Sequence, residues 1–365
     1  MSQIQYTFFK MVGASLTAIN DVQSLNIIEG RVSVQDPFRT GVAILEGINP
    51  QNLPTIEIGN TVIIYGKDGA TDEFQYIGTV ANFQIDYGIV QNLDRWTIEL
   101  EDSLANAGRL NTNTSWSSGF TTYQAAQALA TSAGLTISAP LTPAGSSLVS
   151  AQTITNGNVL SILQQLIMTE QGRIYSINNN NINWIGRGAI TNKTPYAEFN
   201  DGTLSPTVSI SQLKYDGVQF ASLADNYATK VVVIPEGLAP QTAGSGTRSF
   251  EVSSYDQTTS QATDLAGFVQ STLKEATDVP KSVTCLLSQQ SNFETYYVLT
   301  AASVAGFVNV VLRGTRYVCV VNGWSMSATP EDTRFTYNLS AASVYQFFIL
   351  NDTFFGILDQ GKLGF

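Results

Sequence analysis

The chain has 365 residues, 43% hydrophobic and only 13% charged, with 18 basic against 29 acidic side chains for a net charge of −11. This describes a folded chain long enough for two or three domains, and it argues against intrinsic disorder and against the clustered Lys and Arg that grip nucleic-acid phosphates. Histidine is absent, which removes the commonest general base, the Ser-His-Asp triad and the usual zinc ligand sets; the two separated cysteines, Cys285 and Cys319, suggest neither a disulfide framework nor a thiolate metal site.

The first hundred residues read as consecutive strands. Ile4, Tyr6 and Phe8 alternate, as do Val32 and Val34, Ile56 and Ile58, and Val62 and Ile64. Phe74 and Tyr76 open another run, continued by Val80, Phe83 and Ile85, and Trp96, Ile98 and Leu100 form the last. Turn signals at residues 47–50, 59–60, 67–69 and 87–88 separate these runs, a spacing that predicts an antiparallel barrel or sandwich over residues 1–109.

Residues 110–122, LNTNTSWSSGFTT, read as a polar linker. Apolar residues at Tyr123, Ala126, Leu129, Ala130 and Ala133 then predict a helix, with Gly134 as its C-terminal cap. After the Pro/Ser/Gly segment SAPLTPAGSS, a second helix is predicted to start behind Asn156 or Asn158, with Val159, Leu163, Leu166 and Ile167 on one face and Gly172 as its exit. Two short apolar-polar runs, from Arg173 and from Ile182, flank four asparagines, which read as a hairpin tip because Asn tolerates the left-handed backbone of tight turns.

Strands resume with Val218 and Phe220 and with KVVVIP (230–235). The segment PEGLAPQTAGSGTR (235–248) reads as a long loop, and Ala262, Leu265, Ala266, Val269 and Leu273 predict a third helix. Strands continue from Ser282 to about Leu339.

Two distant segments share a layout. VIIYG, FQYIGTVANFQI and RWTIEL near the start parallel VVLRG, RYVCVVNGWSM and RFTYNL near the end. Each contains a strand closing on Gly, a run carrying a large aromatic (Phe83, Trp324) and a last strand opening Arg-aromatic-Thr. The fold class expected is therefore β-rich α+β: two related antiparallel β-barrel domains with an intervening helix-plus-hairpin domain and a helical insertion. The boundaries read 1–109 for the first barrel, 110–204 for the helix-plus-hairpin domain, 205–240 with 282–345 for the second barrel, 241–281 for the insertion and 346–365 for a C-terminal docking segment.

In three places the chain resembles the hub proteins, or minor tail proteins, of tailed bacteriophages. VLSILQQLIMTEQGRIYSINNNNINWIGR is similar to that family's helix, Thr-Glu-x-Gly, aromatic strand, polar turn and strand ending in Arg, here Thr169, Glu170, Gly172, Tyr175 and Arg187. RGTRYVCVVNGWSMSATPEDTRFTYNLS (313–340) resembles the late barrel hairpin, and LNDTFFGILDQGKLGF (350–365) the terminal segment, with Leu350-Asn351-Asp352 where the family usually has Leu-Asp-Asp. The resemblance implies a structural baseplate or tail-tip protein of the virion: a homotrimeric ring of paired barrels that adapts a sixfold tube to threefold tip structures. Its implied partners are copies of itself, the distal tail or tube protein, the tape-measure protein and tail fibre or tip proteins. Genomic DNA would pass through the ring without specific binding. A trimer would carry three times −11, or −33, and a DNA conduit that repels phosphates avoids stalling ejection.

Phe347, Phe348, Phe354, Phe355, Ile357, Leu358, Leu363 and Phe365 concentrate apolar surface in the last residues, and they read as a docking interface on the chain's own domain, a neighbouring subunit or another tail protein. Glu99, Glu101 and Asp102 read as a solvated face or lumen charge, the sequons at Asn192 and Asn338 as accidental, and Gly244-Ser-Gly lacks the Lys of a P-loop. No catalytic residue, metal site, cofactor or membrane anchor is expected; no apolar run approaches bilayer length, and the N-terminus lacks the pattern of a secretory signal. Two other functions compete: a receptor- or carbohydrate-binding tail-tip protein, given the Tyr, Trp and Asn-rich loops, and a tail-associated hydrolase, for which the chain leaves no room after its last barrel.

Overall fold

Seven strands open the chain: β1 (Gln5–Val12), β2 (Ser15–Ile19), β3 (Val22–Gly30), β4 (Arg39–Ile48), β5 (Thr61–Asp68), β6 (Thr71–Asp86) and β7 (Arg95–Glu101). The computed structural model describes residues 5–32, 36–68, 71–90, 94–178, 181–190, 195, 197–208, 213–220, 228–274, 279–289, 306–342, 347–348 and 362–363. In β7, Trp96, Ile98 and Leu100 are completely buried while Arg95 faces solvent, as their alternation predicts. β3 and β4 form where the pattern predicted no strand. In β4 the glycines turn inward: a Cβ on Gly47 would meet the ring of its cross-strand partner Trp96 at 2.2 Å, so the indole fills the slot that an aliphatic side chain would have marked. The expected strand at Ile56 and Ile58 does not form, since Ile58 is 76% exposed and the chain turns at Gly59. Val32 also lies outside any strand, and Val34 outside the described residues.

The middle of the chain runs α1 (Ser103–Arg109), β8 (Asn111–Trp116), α2 (Thr122–Ser132), β9 (Thr136–Ser138), β10 (Gln152–Asn158), α3 (Val159–Glu170), β11 (Arg173–Asn178), β12 (Asn181–Ile185) and α4 (Arg187–Ile190). Thr121 and Gln124 close a capping box on α2, and the Asn158 side chain accepts the Ser161 N–H to start α3. Both predicted apolar faces enter one core, with Leu129, Leu163 and Leu166 fully buried. The supposed linker is instead β8, which pairs antiparallel with β10; its alternating threonines look like loop until that distant partner is known. β11 and β12 form the expected hairpin, Asn178 opposite Asn181, with Asn179 and Asn180 outside the described residues. The left-handed residue that ends α3 is Gln171 rather than Gly172. Gly172 is needed for close approach, because a Cβ there would meet the Ile185 carbonyl oxygen at 2.3 Å.

Next come β13 (Ala197–Asn200), β14 (Gly217–Gln219), β15 (Lys230–Pro235), β16 (Gln241–Gly244), β17 (Ser249–Ser254), α5 (Thr259–Lys274) and β18 (Ser282–Leu286). β16 occupies part of the expected long loop, and β16-β15-β17 form a small sheet whose Val231, Val233 and Val252 pack on Ala262, Leu265 and Val269 of α5. β19 (Phe307–Leu312), β20 (Thr315–Ala328) and β21 (Thr333–Ala341) complete the main strands, followed by the two-residue β22 (Phe347–Phe348) and β23 (Lys362–Leu363).

The two ends of the chain share one 13-stranded sheet, ordered β14-β18-β21-β20-β3-β4-β7-β6-β5-β1-β2, with β19 also on β20 and β13 on β19. The expectation of two separate barrels is corrected here: no closed barrel exists among the described residues. Alternation reports which side chains face inward but not which strand an edge will find, and β3 finds its partner in β20 from the other half. Within this sheet lie two sets of strands in the same order: β3-β4-β7-β6-β5-β1 and β14-β18-β21-β20-β19-β13. The register agrees in detail. Phe83 opposes Ile98 as Trp324 opposes Tyr337, and the ladder slips between Val80 and Asn82 as it does between Val321 and Gly323. The sets differ at their ends, where β1 meets β5 antiparallel whereas β13 meets β19 parallel.

Candidate functional site

Glu170, from the Thr-Glu-x-Gly motif at the end of α3, is fully buried and surrounded by donors. Its carboxylate accepts from the Thr122 hydroxyl at 2.7 Å, the Ser146 and Ser147 backbone N–H groups at 3.2 and 3.0 Å, and the Arg187 N–H at 3.2 Å. Thr169 accepts the Tyr255 N–H at 3.0 Å, and the Arg187 guanidinium lies over the Phe268 ring at 5.6 Å. The motif therefore ties α2, α3, the loop before β10, the hairpin and α5 together. This is a structural clamp. Satisfied by several fixed donors, the carboxylate is not presented to a reacting group.

A second junction sits at the bulge of β20. The Arg173 guanidinium, buried at the start of β11, donates to the Val321 carbonyl and to Asn322 Oδ1. Asn322 in turn accepts the Arg31 N–H at its carbonyl, 3.2 Å, and donates from Nδ2 to Ser340 Oγ at 2.5 Å. One bulged residue thus links β3's exit, the hairpin and β21. Elsewhere, buried Glu198 on β13 accepts from Asn200, Thr207, Asn309 and Arg316; burial opposes ionisation there, and these four bonds still hold its carboxyl below the usual range.

The acidic group at the end of β7 divides by role. Asp102 caps α1, accepting the Leu104 and Ala105 N–H groups at 2.9 and 3.1 Å and the Gly41 N–H at 2.7 Å. Glu101 pairs with Arg109, and Glu99 is half-buried. Asp102 therefore departs from the expected solvated face. Burial pushes its carboxyl up to about 7, and Glu29 is pushed up to about 8 by burial and by the charge of Asp102. The Cys285 and Cys319 thiols, both buried, are raised to about 12, which holds them protonated and unreactive. All four tryptophans are buried, so none offers a stacking platform at the surface. Among the described residues no cluster of His, Cys, Asp or Glu has the makings of a metal site, and no helix is long and apolar enough to cross a membrane.

Of the C-terminal candidates, Phe347 and Phe348 lie in β22, which pairs parallel with Lys362 and Leu363 of β23. Phe354, Phe355, Ile357, Leu358 and Phe365 lie outside the described residues. Sequence reading placed Phe83, Ile85, Val218 and Phe220 on strands but assigned neither them nor Tyr87 to a surface. Tyr87 is 77% exposed just past β6 and Phe220 41% just past β14, while Phe83, Ile85 and Val218 are only partly covered. They lie along the ends of two strands whose counterparts in the duplicated set are covered, a signal available only once that duplication was aligned.

No protein-family model matches this sequence, and no curated protein does. Solved structures do share the fold. A tail protein from Neisseria meningitidis superimposes with a TM-score of 0.62 at 12% identity, over 93% of this chain and 98% of that one. The 43 kDa tail protein of prophage MuSo2 from Shewanella oneidensis gives 0.60 at 10% identity, over 93% and 99%. The E. coli c3393 protein, a component of the type VI secretion system with structural similarity to T4 bacteriophage tail proteins gp27 and gp5, gives 0.50 at 11% identity, over 93% and 76%. The resemblance to phage tail hubs drawn from the sequence is borne out at the level of the fold.

Proposed function

We propose that this chain is a non-enzymatic structural protein of a bacteriophage tail tip, a hub that joins tail tube to tip or fibre proteins and forms a ring through which DNA is ejected. The observation carrying this reading is the duplicated strand order within a fold that solved tail proteins share over 93% of this chain. A chain with two equivalent units contributes that unit twice to a ring. Three copies then offer six similar faces to a sixfold tube and three to a threefold tip. The net charge of −11 per chain suits a conduit for phosphate-bearing DNA, since weak repulsion favours passage over adhesion.

The partners proposed are further copies of this chain, a distal tail or tube protein, the tape-measure protein and tip or fibre proteins, in the virion at the tail tip. The C-terminal aromatic segment is proposed to dock on one of these neighbours. A glycan-binding role is the weaker reading, because the tryptophans are internal. Native mass spectrometry of the purified chain, run beside a host-cell adsorption assay, tests the choice. Three copies without adsorption is the expected result; a monomer that adsorbs to host cells overturns the hub reading.

A further inference from the structure

In the duplicated sheet, one strand pairing joins the two units inside the chain: the second half of β20 pairs antiparallel with β3, Met326 opposite Ile27, Ser327 opposite Asn26 and Ala328 opposite Leu25. The equivalent strands on the outer sides are β6 and β14. Beyond Thr79, β6 has left β5 behind, and among the described residues nothing pairs with that edge of Asn82–Asp86; β14 likewise ends the sheet.

Shared neighbours fix the correspondence. Ile85 and Asp86 face Trp96 and Arg95 as Met326 and Ser327 face Phe335 and Arg334, both partner strands opening Arg-aromatic-Thr. Leu25 reaches Ile98 through Leu45, and Val218 reaches Tyr337 through Val283. Ile98 and Tyr337 are equivalent, so Val218 stands where Leu25 does and Phe220 where Ile27 does.

We infer that the end of β6 pairs antiparallel with β14 of a second copy of this chain, Tyr87 opposite Val218, Asp86 opposite Gln219 and Ile85 opposite Phe220. This rests on the ring proposed above and names its junction. Exposure supports it. Leu25, Ile27, Met326 and Ala328 are at most 3% exposed in the internal contact, whereas Tyr87 and Phe220 are 77% and 41% exposed at matching positions. Asp86 and Gln219 face solvent, as Ser327 does. An unpaired strand end flanked by apolar side chains is covered most economically by the surface that already covers its duplicate. The contact is shorter than its internal counterpart. A Cβ on Gly323 would meet the Glu29 carbonyl oxygen at 2.5 Å, and Asn82 stands at that place in β6, so the junction stops short of Asn82.

The test uses full-length chains carrying single cysteines; the native Cys285 and Cys319 are buried and do not compete. Asp86→Cys chains mixed with Gln219→Cys chains and treated with a short thiol crosslinker are expected to give a product of twice the chain mass, and the double variant a ladder ending at three copies. Asn82→Cys mixed with Gln219→Cys is the out-of-register control and is expected to give none, because directly opposed side chains are about 5 Å apart and these would be several residues displaced. A trimer by native mass without the 86–219 product, or with equal 82–219 product, overturns the junction and leaves the ring standing. A chain that stays monomeric overturns both.

Discussion

Arg173 and Val321 are joined by a hydrogen bond from a fully buried guanidinium to a backbone carbonyl at the bulge where β20 leaves β19 and takes up β3. This contact connects the hairpin region to the point where the two strand sets meet. Arg173→Met keeps the length of the stem and removes the donors, stranding the carbonyl in a closed site. A loss of about 1.5–3 kcal/mol is expected, the range for a hydrogen bond to a charged group. Urea unfolding monitored by tryptophan fluorescence measures it; an unchanged midpoint would show that the bulge stands without the arginine.

Glu170→Ala is expected to cost more than an ordinary surface substitution, because it leaves the Ser147 and Arg187 N–H groups facing a void. Each stranded buried donor costs about 1–3 kcal/mol. Glu170→Gln keeps the shape but turns an amide NH2 toward donors, so it is expected to recover only part of the loss. Hydrogen exchange should show faster opening at residues 144–148 and 186–188 in both variants. Protection equal to the parent chain would show that Glu170 does not hold these segments together.

The pH dependence follows from Glu29 and Asp102, raised to about 8 and about 7, chiefly by burial. In the unfolded chain both would titrate near their ordinary values of about 4. Deprotonation therefore favours the unfolded state, and the contribution of these groups, complete below about pH 4, is lost as pH rises through 7 to 8. Glu29→Gln is expected to flatten the fall in stability between pH 5 and 8. Thermal melts of both chains across that interval decide the matter; parallel curves would contradict the assignment.

Truncation after Ser343 removes the C-terminal aromatic segment while leaving β21 intact. If that segment docks on a neighbour, sedimentation should show a smaller assembly with the parent's circular dichroism. An unchanged assembly mass would place the segment on its own domain.

Local signals made much of this fold legible. Periodicity and caps located α2, α3 and α5, and paired runs around the asparagines located the β11–β12 hairpin, because each depends on residues near in sequence. β4 was hidden because Gly41 and Gly47 occupy inward positions filled by Asp102 and Trp96. β8 looked like a linker until β10, far along the chain, supplied its partner. Glu170 and Arg187 were legible as a motif, but their role as clamp depends on donors contributed by α2 and the loop before β10. The fusion of both strand sets through β3 and β20 is a choice of edge partner, which alternation does not encode.

Three copies of this chain are proposed to close the duplicated sheet into a ring. Electron microscopy of the purified 365-residue chain decides whether they do. A threefold ring whose inner wall repeats six times, with a pore wide enough for duplex DNA, is the result expected. A compact monomer, or an open filament built by the same edges, would contradict it.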